Sequence, residues 1–460
     1  MKTKELCFGW LLFITLHVNA QWTMNNASTY KVDISWTSQA GVDGYIVVRS
    51  SDNIIELPID PNGYQKGDYI GNDQVAYVGS TNAFTQYNLR ASHHYEWMVF
   101  PYQVVNGLYN FFEVPFPNLV LDTPYNMMGN YYDGIDSTQA AFIPQLQDRI
   151  RNPYSKISYN SYDETMIAQY ASVDTADGQS VVECVYSQFH YVYTPPFNWL
   201  PISREHTYCH SWMPSYSATS TDEYADQHHL FPTQQNNANG VRSNHPFGEV
   251  ETVQSSFLLG KLGLNASNQV VYEPRDEQKG DAARALLYMA LRYDGLDSLD
   301  WTFDYLNNVT LPGLSEAPQS VDQLLQWHFQ DLPDAYERSR NDYIQSIQQN
   351  RNPFIDHPNW VQLIHFEDLS FIQPVAIQQP SSPVVRILNN GQQPQLWIPR
   401  NEQFWNLTWF DQTGQCVGKA QLYPKQERVS SIDLTSGVYY LKLEDQQGHI
   451  QLLKWIVSER

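Results

Sequence analysis

The spacing of apolar residues changes twice along this chain, and that change restricts the fold more than any other feature. From Thr29 to about Phe116, apolar and polar residues alternate in short runs, as in Val32-Asp33-Ile34-Ser35-Trp36 and Tyr95-Glu96-Trp97-Met98-Val99-Phe100. Tyr45-Ile46-Val47-Val48 adds a β-branched run after Gly44. A period of two buries one face of a pleated strand, so this stretch reads as β-structure. Between residues 281 and 293 the spacing becomes three and four: Ala283, Leu286, Leu287, Ala290 and Leu291 form one helical stripe that opens after Gly280 and stops at Gly295. Residues 321–329 and 335–349 read as further helices, with Asn352-Pro353 closing the second. Pro374, Pro380 and Pro383 among Gln and Ser then give a linker composition. Strands return at residues 406–410, 431–434, 436–443 and 454–457, with a turn at 411–414. The fold class that follows is multidomain: an N-terminal all-β sandwich, a central α+β domain and a small C-terminal β-sandwich.

The length of 460 residues, divided by about 150 per domain, suggests three. An apolar fraction of 42%, with 14% aromatic, supports real cores and excludes wholesale disorder. The net charge of −22 rules out a protein that holds nucleic acid by neutralising phosphates over its whole surface; it suits the solubility of an exported protein. Lys2 and Lys4, an apolar run over residues 6–16, and Val18-Asn19-Ala20 before Gln21 read as a cleaved signal peptide over residues 1–20, too short to span a bilayer. No later segment approaches about twenty consecutive apolar residues. The mature chain is expected to be secreted, or attached to the cell surface, after export through the periplasm. Cys7 leaves with the signal, and an oxidising compartment permits a disulfide, for which Cys184 with Cys209 is the expected pair; Cys416 remains.

The chemistry is concentrated in Arg204-Glu205-His206, Gln227-His228-His229-Leu230-Phe231-Pro232 and Asn239-Gly240-Val241-Arg242-Ser243-Asn244. One base, one carboxylate and one amide oxygen suit phosphodiester hydrolysis with a hard divalent ion. An imidazole titrates near about 6.5, where it can deprotonate water. Neighbours on a strand point to opposite faces, so one of Glu205 and His206 on the metal and the other on the water is easier than both on one ion. Pro232 suits the start of a helix, and Asn239 before Gly240 also suits a helix C-terminus. Arg242 has either a phosphate or a structural partner near Glu249 to bind. Arg284 reads as an internal ion pair, and Arg338, Arg340 and Arg351 as a candidate phosphate-facing surface.

These blocks closely resemble the endonuclease I family, whose fold is of the ββα-metal or His-Me finger kind. The likeness continues through Pro246-Phe247-Gly248-Glu249, Glu273-Pro274-Arg275-Asp276, Lys279-Gly280-Asp281, Ala283-Arg284-Ala285-Leu286 and the run from Asn350 to Pro358, and spans roughly residues 126–366. The resemblance implies a secreted, largely sequence-nonspecific endonuclease of DNA, and of RNA as an open alternative, leaving 5′-phosphates. It implies His206 as general base, Glu205 and Asn239 as ligands of a divalent metal (Mg²⁺ first, with Mn²⁺ and Ca²⁺ open), and Arg242 in the catalytic set. Two departures stand out: Gln227 occupies a position where the family commonly has Leu, and residues 211–225 lack the Arg that some members use to bind phosphate. Transition-state charge then falls to Arg204, Arg242 or a more distant arginine. Residues 28–118, with a Trp on an early strand and a Tyr on a late one, resemble a fibronectin type III sandwich. Residues 385–460, beyond a linker at 367–384, resemble the C-terminal sorting domain read by the type IX secretion machinery.

Two other classes compete. His206, Cys209 and His210 have ligand-like spacing for zinc, but the chain lacks a His-Glu-x-x-His helix and paired Cys-x-x-Cys motifs. A catalytically degenerate nuclease scaffold serving as a surface adhesin is the second, and it would leave Glu205, His206 and Asn239 dispensable.

Overall fold

The structure is a computed structural model, and it describes residues 22–50, 56–112, 118–175, 179–194, 197–215, 218–309 and 319–373, together with 386–388, 395–397, 405–423, 425, 428–430, 434–435, 437–445 and 450–457. The signal sequence, the linker prolines and the strand expected at 431–433 lie outside the described residues. The chain divides into two compact units, residues 1–373 and 374–460.

The N-terminal part of the first unit is β throughout. Strands β1 (Trp22–Asn25), β2 (Lys31–Trp36) and β6 (Ala83–Tyr87) form one sheet; β4 (Tyr69–Ile70), β5 (Asp73–Gly79), β3 (Gly44–Ser50), β7 (His94–Val105) and β8 (Leu108–Phe111) form the other, with β9 (Leu119–Asp122) also on β7. The alternation in the sequence is literal in β2, where Val32, Ile34 and Trp36 are buried and the residues between them are not. Those three pack with Tyr45, Val47, Tyr95, Trp97 and Val99. The sheets reach further than residues 28–118, because Trp22–Asn25 pairs with β2 and Leu119–Asp122 with the first half of β7.

The central region is α+β. It runs through α1 (Phe142–Arg151), β10 (Ser172–Asp174), β11 (Ser180–Glu183), β12 (His190–Tyr193), β13 (Ile202–His206), α2 (Asp222–Ala225), β14 (Leu230–Gln234) and α3 (Gly240–Arg242). It continues with β15 (Thr252–Phe257), β16 (Gly260–Leu264), β17 (Val270–Glu273), α4 (Lys279–Tyr293), α5 (Phe303–Asn308), α6 (Val321–Gln330), α7 (Ala335–Gln348) and α8 (Pro353–Asp356). Helix α4 was expected to be amphipathic; instead all of it but Asp281 is buried. Its polar groups survive burial because each is paired: Arg284 with Asp281 and Glu337, Lys279 with Glu273 and Arg292 with Asp226.

Asp342 on α7 ties the first unit together. It accepts from Thr29 Oγ1 at 2.6 Å, in the loop leading into β2, and from the Met127 amide at 3.0 Å, while Arg351 Nη1 lies 2.7 Å away. Tyr30, next to Thr29, packs on Tyr162, Tyr343 and Ile344 in one cluster. Arg351 also reaches Asp356 at 2.6 Å and is fully buried. Arg340 is buried too, bonding the carbonyls of Gln227 and Leu230. Arg340 and Arg351 are therefore internal struts, contrary to the phosphate-facing surface expected of them, and Arg338 bonds the Pro333 carbonyl.

The second unit has a four-stranded sheet, in the order Cys416–Leu422, Trp405–Asp411, Gly437–Asp445, Ile450–Val457, and a three-stranded sheet of Arg386–Leu388, Gln395–Trp397 and Arg428–Ser430. Leu396, Trp405, Leu407, Trp409, Leu441 and Leu443 form its core.

Removing Arg351 strands two buried carboxylates. Arg351→Met is expected to destabilise the first unit by about 3–5 kcal/mol, read as a lower urea midpoint; a loss below about 1 kcal/mol would mean the pairs are solvated like surface ion pairs.

Candidate active site

Strand β13 pairs antiparallel with β14, setting Glu205 opposite Phe231 and His206 opposite Leu230. Pro232 lies within β14 rather than at a helix start, and the helix begins three residues later. Gln234 caps it, and its first turns close wide, the Gly240 amide reaching the Gln235 carbonyl, before tightening into α3. Asn239 and Gly240 are both right-handed helical, so Asn239 is no C-terminal cap; the helix ends at Ser243, whose φ is +47°. Insertion of a wide turn is a common way to re-aim a functional side chain. Here it carries Asn239 back to the strand, where its Nδ2 donates to Glu205 Oε2.

Glu205 is only 4% exposed. Its Oε1 accepts from Arg242 Nη1 at 2.8 Å and from the Tyr186 hydroxyl at 3.0 Å. Among the described residues, Oε2 bonds Asn239 alone. Burial pushes the Glu205 carboxyl above its usual range, against the pull of Arg242, Tyr186 and Asn239. Arg242 is itself 1% exposed and spends its terminal nitrogens on Glu205, the His206 carbonyl at 3.1 Å and the Thr207 carbonyl at 2.8 Å. Among the described residues it does not bond Glu249; it stands beneath the carboxylate.

His206 faces the other way, as strand geometry requires. Its ring stacks on Tyr159 at 5.4 Å and 13°, meets the edge of Tyr224 at 4.4 Å and lies 5.2 Å from His229. Nε2 is 2.8 Å from the Tyr224 carbonyl. A carbonyl only accepts, so Nε2 carries the proton and Nδ1 keeps the lone pair. Burial, with the neighbouring His229, His210 and Arg204, holds His206 well below the ordinary histidine range, so the ring is neutral at physiological pH.

His228 and His229 are buried and do not bond His206: His229 Nε2 lies 2.8 Å from the Glu223 carbonyl, and His228 packs on Tyr288 at 4.7 Å. The orienting group is a main-chain carbonyl in α2, which no side-chain pattern announces, and Tyr186 carries no signal either. Beside them, buried Asp226 accepts from Tyr288 and Tyr293 at 2.9 Å each and pairs with Arg292 at 3.2 Å. Burial opposes its ionisation, but Arg292 and the two histidines prevail and hold it below the usual carboxylate range. The polar Gln227 side chain donates to the Ala225 carbonyl, while its main-chain amide donates to Gln348; its Oε1 has no partner among the described residues.

Cys184 and Cys209 are both buried free thiols rather than the expected disulfide. The Cys209 thiol points at the Ser243 carbonyl, 3.4 Å away, and burial pushes its pKa up to about 12. Among the described residues, no three His, Cys, Asp or Glu side chains converge as a metal cage. What the site offers is a carboxylate oxygen with a spare lone pair beside an amide head, whose oxygen and nitrogen exchange by a half-turn. That donor set fits a hard divalent ion bound by few protein atoms with water completing its shell.

Residues 138–359 match the Endonuclease I family. An extracellular ribonuclease of Bacillus subtilis (strain 168) is 31% identical over 244 residues, 52% of this chain and 80% of that one. This chain belongs to the Endonuclease I family. An extracellular ribonuclease of Bacillus amyloliquefaciens is 37% identical over 158 residues, 34% of this chain and 52% of that protein. A periplasmic deoxyribonuclease of Aeromonas hydrophila is 29% identical over 131 residues, 28% of this chain and 47% of that one. Endonuclease I membership makes the central region a hydrolase of nucleic-acid phosphodiester bonds, in a family that depends in general on a divalent metal.

Burial lowers His228 to about 3 and His229 to about 4. Both imidazoles are expected to stay neutral at pH 5 in a ¹⁵N NMR titration of the folded protein; ordinary titration near about 6.5 would contradict the packing described around the hairpin.

Proposed function

We propose that this chain is an exported, divalent-metal-dependent and largely sequence-nonspecific endonuclease that cleaves DNA, and RNA as a second substrate, leaving 5′-phosphates. The observation that carries the reading is the fixed tautomer of His206: with Nε2–H tied to the Tyr224 carbonyl at 2.8 Å, its basic nitrogen is Nδ1, which has no partner among the described residues. His206 takes the proton of the attacking water at Nδ1, and its lowered pKa keeps it available as a base at neutral pH. Glu205 Oε2 and, after a half-turn of its amide, the Asn239 oxygen would hold the divalent ion. A bound Mg²⁺ supplies Lewis-acid stabilisation of charge on phosphorus and the leaving oxygen. Arg242 takes no phosphate; it compensates Glu205 and fixes Oε1 so that Oε2 faces Asn239.

Export is supported by the N-terminal signal pattern and by relatives named extracellular or periplasmic. We assign residues 28–118 to a fibronectin type III-like sandwich, 126–366 to the nuclease and 385–460 to a type IX sorting domain. The two-sheet core around Trp36 and Trp97 supports the first assignment, and the sheet containing Gly437–Asp445 supports the last.

Plasmid nicking by the purified protein is expected to need a divalent ion, to stop in EDTA and to fall about 10²–10⁴-fold in His206→Ala; unimpaired cleavage by that variant would remove His206 from the mechanism. The pH profile separates the two faces of the strand. A proton on Glu205 excludes the metal, so activity is lost as pH falls through the raised Glu205 value, and more metal resists that loss. A tenfold rise in Mg²⁺ is expected to move the acid limb of kcat/KM down by up to about one pH unit. A limb that ignores metal concentration would assign it to a group other than a ligand.

A further inference from the structure

Arg242 and Arg340 both bond the β13–β14 hairpin, yet both are buried and committed to internal acceptors. Residues 211–225 bring no arginine, and the chain as a whole carries a net charge of −22. Among the described residues, a phosphate arriving at His206 therefore meets few cations that are not buried, and Arg204 is one. It lies two residues before His206 on β13, so both share one face of the strand. Its guanidinium is clamped, with its central carbon 4.0 Å from the Tyr159 ring centre and 4.2 Å from that of Trp199. Tyr159 in turn stacks on His206. Trp199, Arg204, Tyr159 and His206 thus form one unbroken run of contacts ending at the proposed base.

A guanidinium has five N–H donors. One nitrogen of Arg204 bonds the Tyr159 carbonyl at 2.8 Å. A side-chain hydrogen bond to the Tyr159 hydroxyl takes a further part of the fork, and no Arg204 nitrogen is both sealed from solvent and unpaired, unlike Arg242 Nε. Two aromatic faces cover the plane and leave the rest of the edge open, the part of a guanidinium that forks onto phosphate oxygens. Fixing the plane in advance removes rotamer freedom that a lysine would lose on binding.

We propose that Arg204 is the phosphate-binding cation of this active site, its open edge taking the non-bridging oxygens of the substrate phosphate beside His206 while Trp199 and Tyr159 hold it in place. The assignment rests on the nuclease reading and names how that site, in an acidic protein, grips its polyanionic substrate.

The test is binding rather than turnover: fluorescence anisotropy of a labelled single-stranded DNA oligonucleotide titrated with the full chain lacking residues 1–20, in EDTA, over a series of NaCl concentrations. Wild type, Arg204→Gln and Arg204→Lys are compared, with melting temperature recorded for each. Losing one phosphate contact on a single strand makes the slope of log affinity against log salt shallower by about 0.7, and that change is expected for R204Q, while R204K keeps the wild-type slope. An unchanged slope in R204Q would overturn the proposal, as would a wild-type protein that binds no oligonucleotide at low salt. If R204Q does not fold, R204K decides: loss of the fork is expected to weaken binding about tenfold, and unchanged affinity overturns the proposal. Metal-dependent cleavage by the wild type is scored separately, so failure of the nuclease reading leaves a different signature.

Discussion

The buried pair of Glu205 and Arg242 is the interaction on which the site depends. A carboxylate at this depth loses its hydration and tends to take up a proton. Arg242 at 2.8 Å restores much of what is lost and occupies only one of the two carboxylate oxygens. The pair is weak evidence for stability, since paired buried charges often do no better than well-packed apolar groups. Its value is positional: Oε1 is fixed, Oε2 is left to face Asn239, and two carbonyls of the following turn are held by the same guanidinium. Arg242 in turn packs against Phe247 at 4.5 Å, which links the site to the core beneath it.

Strand geometry then separates two functions that would interfere if they shared a face. Glu205, the proposed metal ligand, turns inward to Tyr186, Asn239 and Arg242, while His206, the proposed base, turns to an aromatic cage of Tyr159 and Tyr224. Each histidine environment follows from what it touches: His206 ends on a carbonyl that selects a tautomer, whereas His228 and His229 sit deeper and serve the packing around Asp226. Asp226 gathers two tyrosines, Gln348 and Arg292. That network anchors the turn whose other end presents the Tyr224 carbonyl. Asp342 and Arg351 do similar work at the join with the β-sandwich, where Thr29 and Tyr30 reach α7.

Local periodicity was enough to read most of the architecture. Alternation predicted β2 and the first half of β7, a β-branched run predicted β3, and the three-four spacing predicted α4, with α6 and α7 also read to within two residues. Glu205, His206 and Asn239 were singled out by residue type and by the family resemblance, and of these the fold brings Glu205 and Asn239 into contact while turning His206 to the other face. What sequence reasoning missed acts through groups it cannot see: a main-chain carbonyl at Tyr224, a hydroxyl from distant Tyr186, and the depth of Arg242, Arg340 and Arg351. Burial is a tertiary property, and arginines that look like a phosphate surface in one dimension are struts in three. Pro232 was misplaced for a related reason, since a proline that suits a helix start also fits a strand where no ladder donor is required. The disulfide expectation failed because sharing a domain says nothing about separation in space.

The central claim is that Glu205 and Asn239 together form the metal site on the inward face of β13. Calorimetric titration of Mn²⁺ into the folded protein, comparing wild type with Asn239→Ala, tests it most directly. Saturable binding in the wild type, weakened at least about tenfold in the variant at an unchanged melting temperature, is the result this account requires. Equal affinity in the two proteins would place the metal elsewhere and contradict it.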